Sequence, residues 1–487
     1  MKQLTHFLAV SAIILLSFFC YSSNFYPLLS SDDAIQILMI HNFHLPHDLY
    51  FWGQDRYGSL IPLIGQVFYR GFGISPLTSE SLTHYLILIA GYFAFAGMFK
   101  SKYSQVLLAV VWFFPPFRLV DFLRGNIGLE YSLLAISIFM IQKIQTGRFT
   151  DCLVKLHLLL VSITLLFVLS VWVSDLAVVS IFLLLLIQVY FGVGSKNSVL
   201  NNPFKWKPGI YYFIAGIILG SAFIVYAKYN ADNSPLYINF NDFSTIFESL
   251  KLFGNSMLEL LLFRSNEPFT SAHLYLAILL TGILFLFRAD IRFGENQKKW
   301  FLFFVSDIVL IFLVIMVSKW SFMNGVPRRY FTGHYIVFWM AFLFAFEYLA
   351  ESKIKKTLRL LLMLTVLMAG AGGLLHMKYI WPKSLIPRVE YMREFESLGK
   401  IGIIGDYWNS YINSVTNPDN IIATPNDLAS VRNREMAFEV MKRDTFYIIR
   451  DGWMETFPDS MSQFGTKLYK NGDEFRLGDC FVCRYKK

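Results

Sequence analysis

The chain is short of charge. Only 16% of its 487 residues are Asp, Glu, Lys or Arg, while 55% are hydrophobic. Soluble domains carry about a quarter charged residues, so this deficit excludes a soluble globular chain. Cysteine is scarce too, at four residues: Cys20, Cys152, Cys480 and Cys483. Cys480 and Cys483 have the spacing of half a zinc site, but no second pair completes it. They read as two unrelated thiols on a terminal strand, with a periplasmic disulfide as the alternative. No A-x-A-like cleavage site follows the first apolar run, and Phe19-Cys20 does not fit a lipoprotein cleavage box. Residues 4–21 therefore read as a retained helix. There is no internal repeat and no low-complexity segment. The net charge of +9 lies largely in short loops between apolar runs, so it does not call for nucleic acid as a partner.

What the chain has in plenty is apolar length. Runs of about 17–25 apolar residues are long enough to cross a bilayer. Eleven such stretches stand at 4–22, 82–99, 104–121, 128–145, 154–173, 176–194, 209–228, 272–288, 300–318, 333–350 and 357–379. Pro115-Pro116 and Arg118 interrupt the third, which is expected to end near Phe114 with a loop or re-entrant segment after it. Alternate loops are dense in basic residues: Lys100 and Lys102; Lys143, Arg148 and Lys155; Lys196, Lys205 and Lys207; Arg288, Arg292, Lys298 and Lys299; Lys353, Lys355, Lys356 and Arg359. Those loops are assigned to the cytoplasmic side. Residues 23–81, 115–127, 174–175, 229–271, 319–332 and everything after 380 then face outward. The expectation is a multi-pass protein of the bacterial inner membrane with its amino terminus inside and its carboxyl terminus in the periplasm. Tyr, Trp and Phe, at 26, 10 and 49 residues, supply anchors at the bilayer surface.

From Pro382 onward acidic and basic residues balance. Strand-like runs at 400–404, 420–423, 445–449 and 481–485 alternate with helical stretches near 387–398 and 426–442. That pattern predicts a small α/β domain with its own core. The expected division is a transmembrane catalytic part over 1–381, including a first periplasmic loop at 23–81, and a periplasmic domain over 382–487.

The first loop is too long for a simple connection, and loops of this length are usually functional or structured. It opens with Pro27-Leu-Leu-Ser-Ser-Asp-Asp-Ala-Ile-Gln36. Asp32 to Phe43 is expected to form an interfacial helix capped by Ser30 or Ser31, with Ala34, Ile35, Leu38 and Met39 facing lipid. Neighbours on a helix point about 100° apart. Asp32 and Asp33 therefore cannot aim at one reacting atom. One can act as a base while the other caps, orients a partner or holds a metal. A second amphipathic stretch covers 59–72. His41, His44 and His47 cluster with Asp48 and Asp55, but Pro46 breaks the spacing a metal motif needs, so sugar or headgroup contacts are the preferred role. No metal is assigned, and a divalent cofactor is not favoured.

An acidic pair after the first helix, then Ala34 and an amphipathic helix, then Tyr50-Phe-Trp-Gly-Gln-Asp-Arg-Tyr-Gly58, resembles the first periplasmic loop of GT-C membrane glycosyltransferases. Members with this pattern use a polyprenyl-phosphate sugar as donor. The resemblance implies Asp32 as the catalytic aspartate and Asp33 as its acidic neighbour. It also implies a donor-phosphate region at Arg328-Arg329-Tyr330-Phe-Thr-Gly-His334, where Gly333 stands in place of the usual Pro. Guanidinium forks suit phosphate oxygens, and Arg124 is a further candidate.

Charges at Arg118, Asp121, Arg124 and Glu130 are costly between apolar runs unless they face a cavity. They are read as lining an acceptor groove or as pairing with one another. Asp175 reads as a turn residue. Gln54 and Asp55, with Asp406, Tyr407 and Trp408 after a tail strand, are the remaining candidates for contacts to sugar or acceptor. The tail lacks Trp-Trp-Asp, which counts against protein N-glycosylation. The implied reaction is inverting transfer of a sugar onto a periplasmic glycan hydroxyl, with Asp32 as base. The expectation places Asp32, the arginine pair and the tail around one outward cavity. Abundant Phe, Ile, Lys and Asn resemble phage- or island-borne glucosyltransferases that modify the O-antigen of lipopolysaccharide, which points to glucose. The alternatives are a lipid-linked glycan polymerase and a glycolipid transporter or flippase. A transporter would place broken helices and polar groups at mid-membrane, where Asp307 is the main acid.

Overall fold

A computed structural model describes residues 3–146, 153–193, 203–232, 239–376 and 385–487. Arg148, Cys152, Lys196 and the Pro382 boundary lie outside the described residues. The helices, in chain order, are α1 Gln3–Tyr21, α2 Ser31–His41, α3 Leu60–Gln66, α4 Pro76–Ala96, α5 Lys102–Phe113, α6 Asn126–Gln145, α7 Leu153–Val173, α8 Ala177–Val193, α9 Pro203–Tyr229, α10 Phe243–Leu261, α11 Pro268–Leu286, α12 Glu295–Val317, α13 Lys319–Met323, α14 Thr332–Glu347, α15 Lys353–His376, α16 Arg388–Arg393, α17 Tyr407–Ser410 and α18 Arg434–Met441.

Each of the eleven apolar stretches coincides with a helix. Seven are individually long and apolar enough to cross a membrane: α1, α6, α7, α9, α11, α12 and α15. α5 and the 3-10 turn Phe117–Leu123 would make an eighth, but the pair is bent by 98°. The bend falls at Pro115-Pro116, where ring closure removes two backbone donors. α4, α8 and α14 fall short of that length or apolarity. α10 was not anticipated. It lies within the stretch 229–271 expected to be an outer loop, with Asp242 capping it by accepting from the Thr245 N–H at 2.8 Å.

By compactness the chain divides into two units, one made of Met1–Ser17, Leu86–Ile224 and Pro235–His376, the other of Phe18–Tyr85, Val225–Ser234 and Met377–Lys487. The first is the helical unit. It turns large apolar side chains outward, among them Leu158, Leu165, Phe182 and Leu219, as helices solvated by lipid do.

The second unit is built on a seven-stranded sheet. Its strands are β1 Ile401–Gly405, β2 Ile421–Pro425, β3 Phe446–Arg450, β4 Ser460–Gln463, β5 Thr466–Lys470, β6 Phe475–Leu477 and β7 Cys480–Lys486. The order is β2-β1-β3-β7-β5-β4, with β6 pairing to β7. β2, β1 and β3 are parallel, and β7 joins β3 antiparallel. β1, β2, β3 and β7 match the predicted strand runs. β4 to β6 are additional, and the helix expected over 426–442 begins only at Arg434.

The core of this unit corrects the reading of α2. Ala34, Ile35, Leu38 and Met39 do not face lipid: each is 0% exposed. They pack with Leu29, Ile37 and Trp52 against Val389, Met392, Phe395, Ile401, Ile403, Tyr411 and Ile412. The core expected to belong to the tail alone is therefore shared with the first loop. Cys480 lies in this cluster, while Cys483 packs on the opposite face of β7 with Ile404, Phe446 and Ile448. Strand alternation puts residues three apart on opposite faces, and both thiols are free.

Candidate functional site

α2 begins with the acidic pair, and the two carboxylates part company there. Asp33 is buried, and its Oδ2 accepts from both the Ser30 N–H and the Ser30 hydroxyl at 2.8 Å. It thus supplies a capping interaction at the helix start. Asp32 is exposed and accepts from the Tyr407 hydroxyl.

Tyr407 is the first residue of α17, just past the carboxyl end of β1, where parallel sheets place functional groups. Asp406 caps that short helix by accepting from the Asn409 N–H at 2.8 Å. Burial, and then the adjacent Asp32 charge, hold the Tyr407 phenol well above its usual range. Trp408 is half exposed. Gln54 is buried and accepts from the Arg56 Nε at 3.2 Å, and Asp55 is half-buried in the same loop. Asp48 organises that loop by accepting from the Trp52 indole at 2.9 Å and the His44 N–H at 2.6 Å.

His41 is the last residue of α2, and His44 lies beyond the helix. The His41 ring pairs with the Tyr69 hydroxyl at 3.0 Å and stands 3.5 Å from Asp419. Burial lowers its pKa, and Asp419 opposes that shift. Among the described residues no group of three His, Cys, Asp or Glu is placed to hold a metal ion.

An arginine that sequence reasoning missed ties α16 to the first loop and to α17. Arg388 Nε donates to Asp479 at 3.1 Å, one terminal nitrogen donates to the Leu29 carbonyl at 2.8 Å, and the other donates to Asn409. Its backbone N–H donates to the Tyr26 carbonyl at 3.2 Å. Asp451, just past β3, sits nearby. Burial, aided by the Asp406 charge, raises its pKa to about 6.

The helical unit holds a separate constellation. A cavity of about 810 Å³ is walled by the 3-10 turn after α5, by α10, α11, α12 and by the start of α14. Its lining is mainly aliphatic and aromatic, including Phe253, Met257, Leu274, Ile278, Phe312 and Trp339. The two cationic side chains on its wall, Arg118 and Arg328, are drawn together by Glu267. Arg328 makes a two-pronged contact with that carboxylate at 2.5 and 3.1 Å, and Arg118 approaches it at 3.7 Å. Glu267 stands at the amino-terminal edge of α11 and is 4% exposed. Arg329 is exposed, with its guanidinium 5.6 Å from the Tyr330 ring centroid. Arg124 pairs with Asp121 at 3.5 Å. Among the described residues Glu130 does not line this cavity. It is buried on α6, beside Ser174 and near Asp307. Asp307 in turn accepts from the Ser180 hydroxyl at 2.6 Å and the Tyr131 hydroxyl at 3.2 Å. Asp175 lies in the turn between α7 and α8.

Gly333 acquires a reason here. A Cβ at that position would stand 2.4 Å from the Tyr131 ring. Only a residue without a side chain lets α14 approach Tyr131, whose hydroxyl serves Asp307. Proline there would collide.

No family model matches the chain, and no curated protein matches it in sequence. Among solved structures, ArnT from Cupriavidus metallidurans bound to undecaprenyl phosphate is similar with a TM-score of 0.58 and 10% identity, over 99% of this chain and 98% of that one. The apo state of that protein gives a TM-score of 0.47 at 8% identity, over 98% and 97%. The Archaeoglobus fulgidus oligosaccharyltransferase tethered with an acceptor peptide gives 0.46 at 12% identity, over 92% of this chain and 69% of that one. At such identities the likeness concerns fold, and the first of them extends over nearly all of both chains.

Proposed function

We propose that this chain, which has the fold of the GT-C membrane glycosyltransferases, is an inverting glycosyltransferase with a polyprenyl-phosphate sugar as donor. The observation that carries the reading is the mainly apolar cavity of about 810 Å³ in the helical unit, with two guanidiniums on its wall. An isoprenoid tail needs an apolar channel, and its phosphate needs fixed positive charge. The proposed sugar is glucose, and the proposed acceptor is a hydroxyl of a periplasmic glycan such as lipopolysaccharide O-antigen, on the likeness drawn from composition. The proposed orientation is outward, with the amino terminus cytoplasmic and the carboxyl terminus periplasmic.

In this mechanism the acceptor hydroxyl attacks the anomeric carbon as the bond to phosphate breaks. Asp32 takes the hydroxyl proton while the new bond forms, since a carboxylate is too weak to ionise an alcohol beforehand. The phosphate leaves with the bonding pair and its charge, so no separate acid is needed. Guanidinium charge stabilises it. Arg118 and Arg328, both gathered on Glu267 at the cavity wall, and Arg329 next in sequence are the groups proposed to meet incoming phosphate. A single displacement inverts the anomeric centre.

The test is transfer from a labelled polyprenyl-phosphate glucose to a panel of glycan acceptors, in membranes containing the full chain. Asp32→Asn should lower turnover by about 10²–10⁴-fold; undiminished turnover with intact protein ends the assignment. Arg329→Ala should chiefly raise the KM for donor, and an unaltered donor dependence would remove it from the phosphate site.

A further inference from the structure

Asp32 has company that the reaction scheme does not yet use. The Tyr407 hydroxyl donates to Asp32 Oδ1 across 375 positions of sequence. The guanidinium of Arg432 stands 5.3 Å from the centroid of the Tyr407 ring. Arg432 is itself held on two sides. Its side chain donates to the Gly53 carbonyl at 3.2 Å, and its backbone N–H donates to the Tyr411 hydroxyl at 3.0 Å. Gly53 has a φ of +69°, and a Cβ there would lie 2.8 Å from Arg432 Cδ. A bare backbone at 53 is therefore what lets the arginine lie across the loop.

The charged and titratable groups around Asp32 come from each element packed on α2. They include Tyr407 from α17, Tyr411 from the 3-10 turn after it, Arg432 from the segment before α18, and Asp33 from α2 itself. α3 packs on α2 and carries no titratable side chain. Arg388 is committed to the Leu29 carbonyl and Asp479, and Asp406 to its own cap.

We propose that Tyr407 and Arg432 are positioning residues for Asp32. Tyr407 fixes the carboxylate through Oδ1 and so sets the direction that Oδ2 presents to the acceptor hydroxyl, while Arg432 sets positive charge behind the phenol. Together they keep Asp32 ionised between turnovers. This rests on the reading of Asp32 as base, and it reassigns Tyr407 from sugar binding. The proton balance is simple. The acceptor proton passes to Asp32, which releases it to water after the sugar has moved, and Tyr407 keeps its own proton throughout. A hydrogen bond to the charged form and a nearby opposite charge both lower a carboxyl pKa. Removing either should make Asp32 easier to protonate.

The experiment compares the full chain in membranes as wild type, Tyr407→Phe and Arg432→Gln. Both variants should move the acid limb of kcat/KM upward, by about one pH unit. A rate lowered equally at every pH, with the limb unmoved, would overturn the proposal in favour of plain packing. An unmoved limb with a raised acceptor KM would overturn it in favour of sugar binding. A second readout does not need activity. The infrared carboxyl band that vanishes in Asp32→Asn is titrated in wild type and in Tyr407→Phe, and its midpoint should rise in the variant. If Asp32→Asn kept full turnover, the base reading would fall, yet the infrared midpoint would still decide whether Tyr407 governs Asp32. A midpoint that stays put overturns the inference.

Discussion

The two units spend the same kinds of side chain in opposite directions. In α7, only 28% of the best 18-residue window is buried, and Leu158 and Leu165 are more than half exposed. In α2, nine of eleven residues are buried, Leu38 and Met39 completely. Both segments are rich in Leu and Ile. What differs is the medium each must satisfy. A run long enough to span a bilayer is solvated by lipid on its outside and needs few protein partners. An eleven-residue helix opened by two carboxylates is too short to span, and it closes the apolar core of the sheet unit instead. Run length and overall hydrophobicity together separate the two fates.

That contrast is open to direct attack. The largest effect should come from Arg388→Ala. Its guanidinium is mostly buried against Asp479, and truncation leaves that carboxylate unpaired, at a cost of about 3–5 kcal/mol. Unfolding of the purified protein, followed by β-sheet circular dichroism, reads the loss. An unchanged transition would mean that the Arg388–Asp479 pair contributes little to the fold.

Next is a matched pair, Leu38→Ala in α2 and Leu165→Ala in α7. The first should cost about 2–5 kcal/mol, because the cavity it leaves cannot collapse fully. The second should fall within about 0.5 kcal/mol, as for exposed positions generally. Equal effects would erase the distinction between the units.

The smallest effect concerns Asp451. Its folded pKa is raised to about 6, mainly by burial. The fold therefore favours the protonated form. Stability from this group is complete below its unfolded value near 3.8 and is lost as pH rises through about 6. Asp451→Asn should shrink the fall in melting temperature between about pH 5 and pH 7. An undiminished fall would assign that slope to other groups.

The sequence spoke clearly where one chemical rule dominates. Apolar runs located the helices because lipid imposes a minimum length. Pro115-Pro116 located the bend because proline removes donors. β1, β2, β3 and β7 were visible as runs rich in Ile, Val and Phe. β4, by contrast, reads Ser-Met-Ser-Gln over Ser460–Gln463, and its pattern carries no such enrichment. α10 mixes Glu, Lys, Ser and Asn with its apolar residues, so hydropathy alone passed it over. Within the candidate site, the acidic pair announced itself by composition. Arg388 and Arg432 did not, because a lone arginine gains meaning only from its partners. Those partners are Leu29, 359 positions away, and Gly53, 379 positions away. The outward face assigned to α2 failed for the same reason: its neighbours lie at the far end of the chain.

The shared core of the second unit has a consequence for biogenesis. The ribosome delivers residues 29–39 well before their packing partners from 389 onward, with the intervening helices inserted in between. Until those later residues emerge, Ile35, Leu38 and Met39 have only the first loop, with Leu29 and Trp52, to pack against. A nascent chain in that state presents a sticky segment to the membrane surface and to any passing chaperone. Loss of residues 389–482 would then strip the segment that carries Asp32 of most of its core as well.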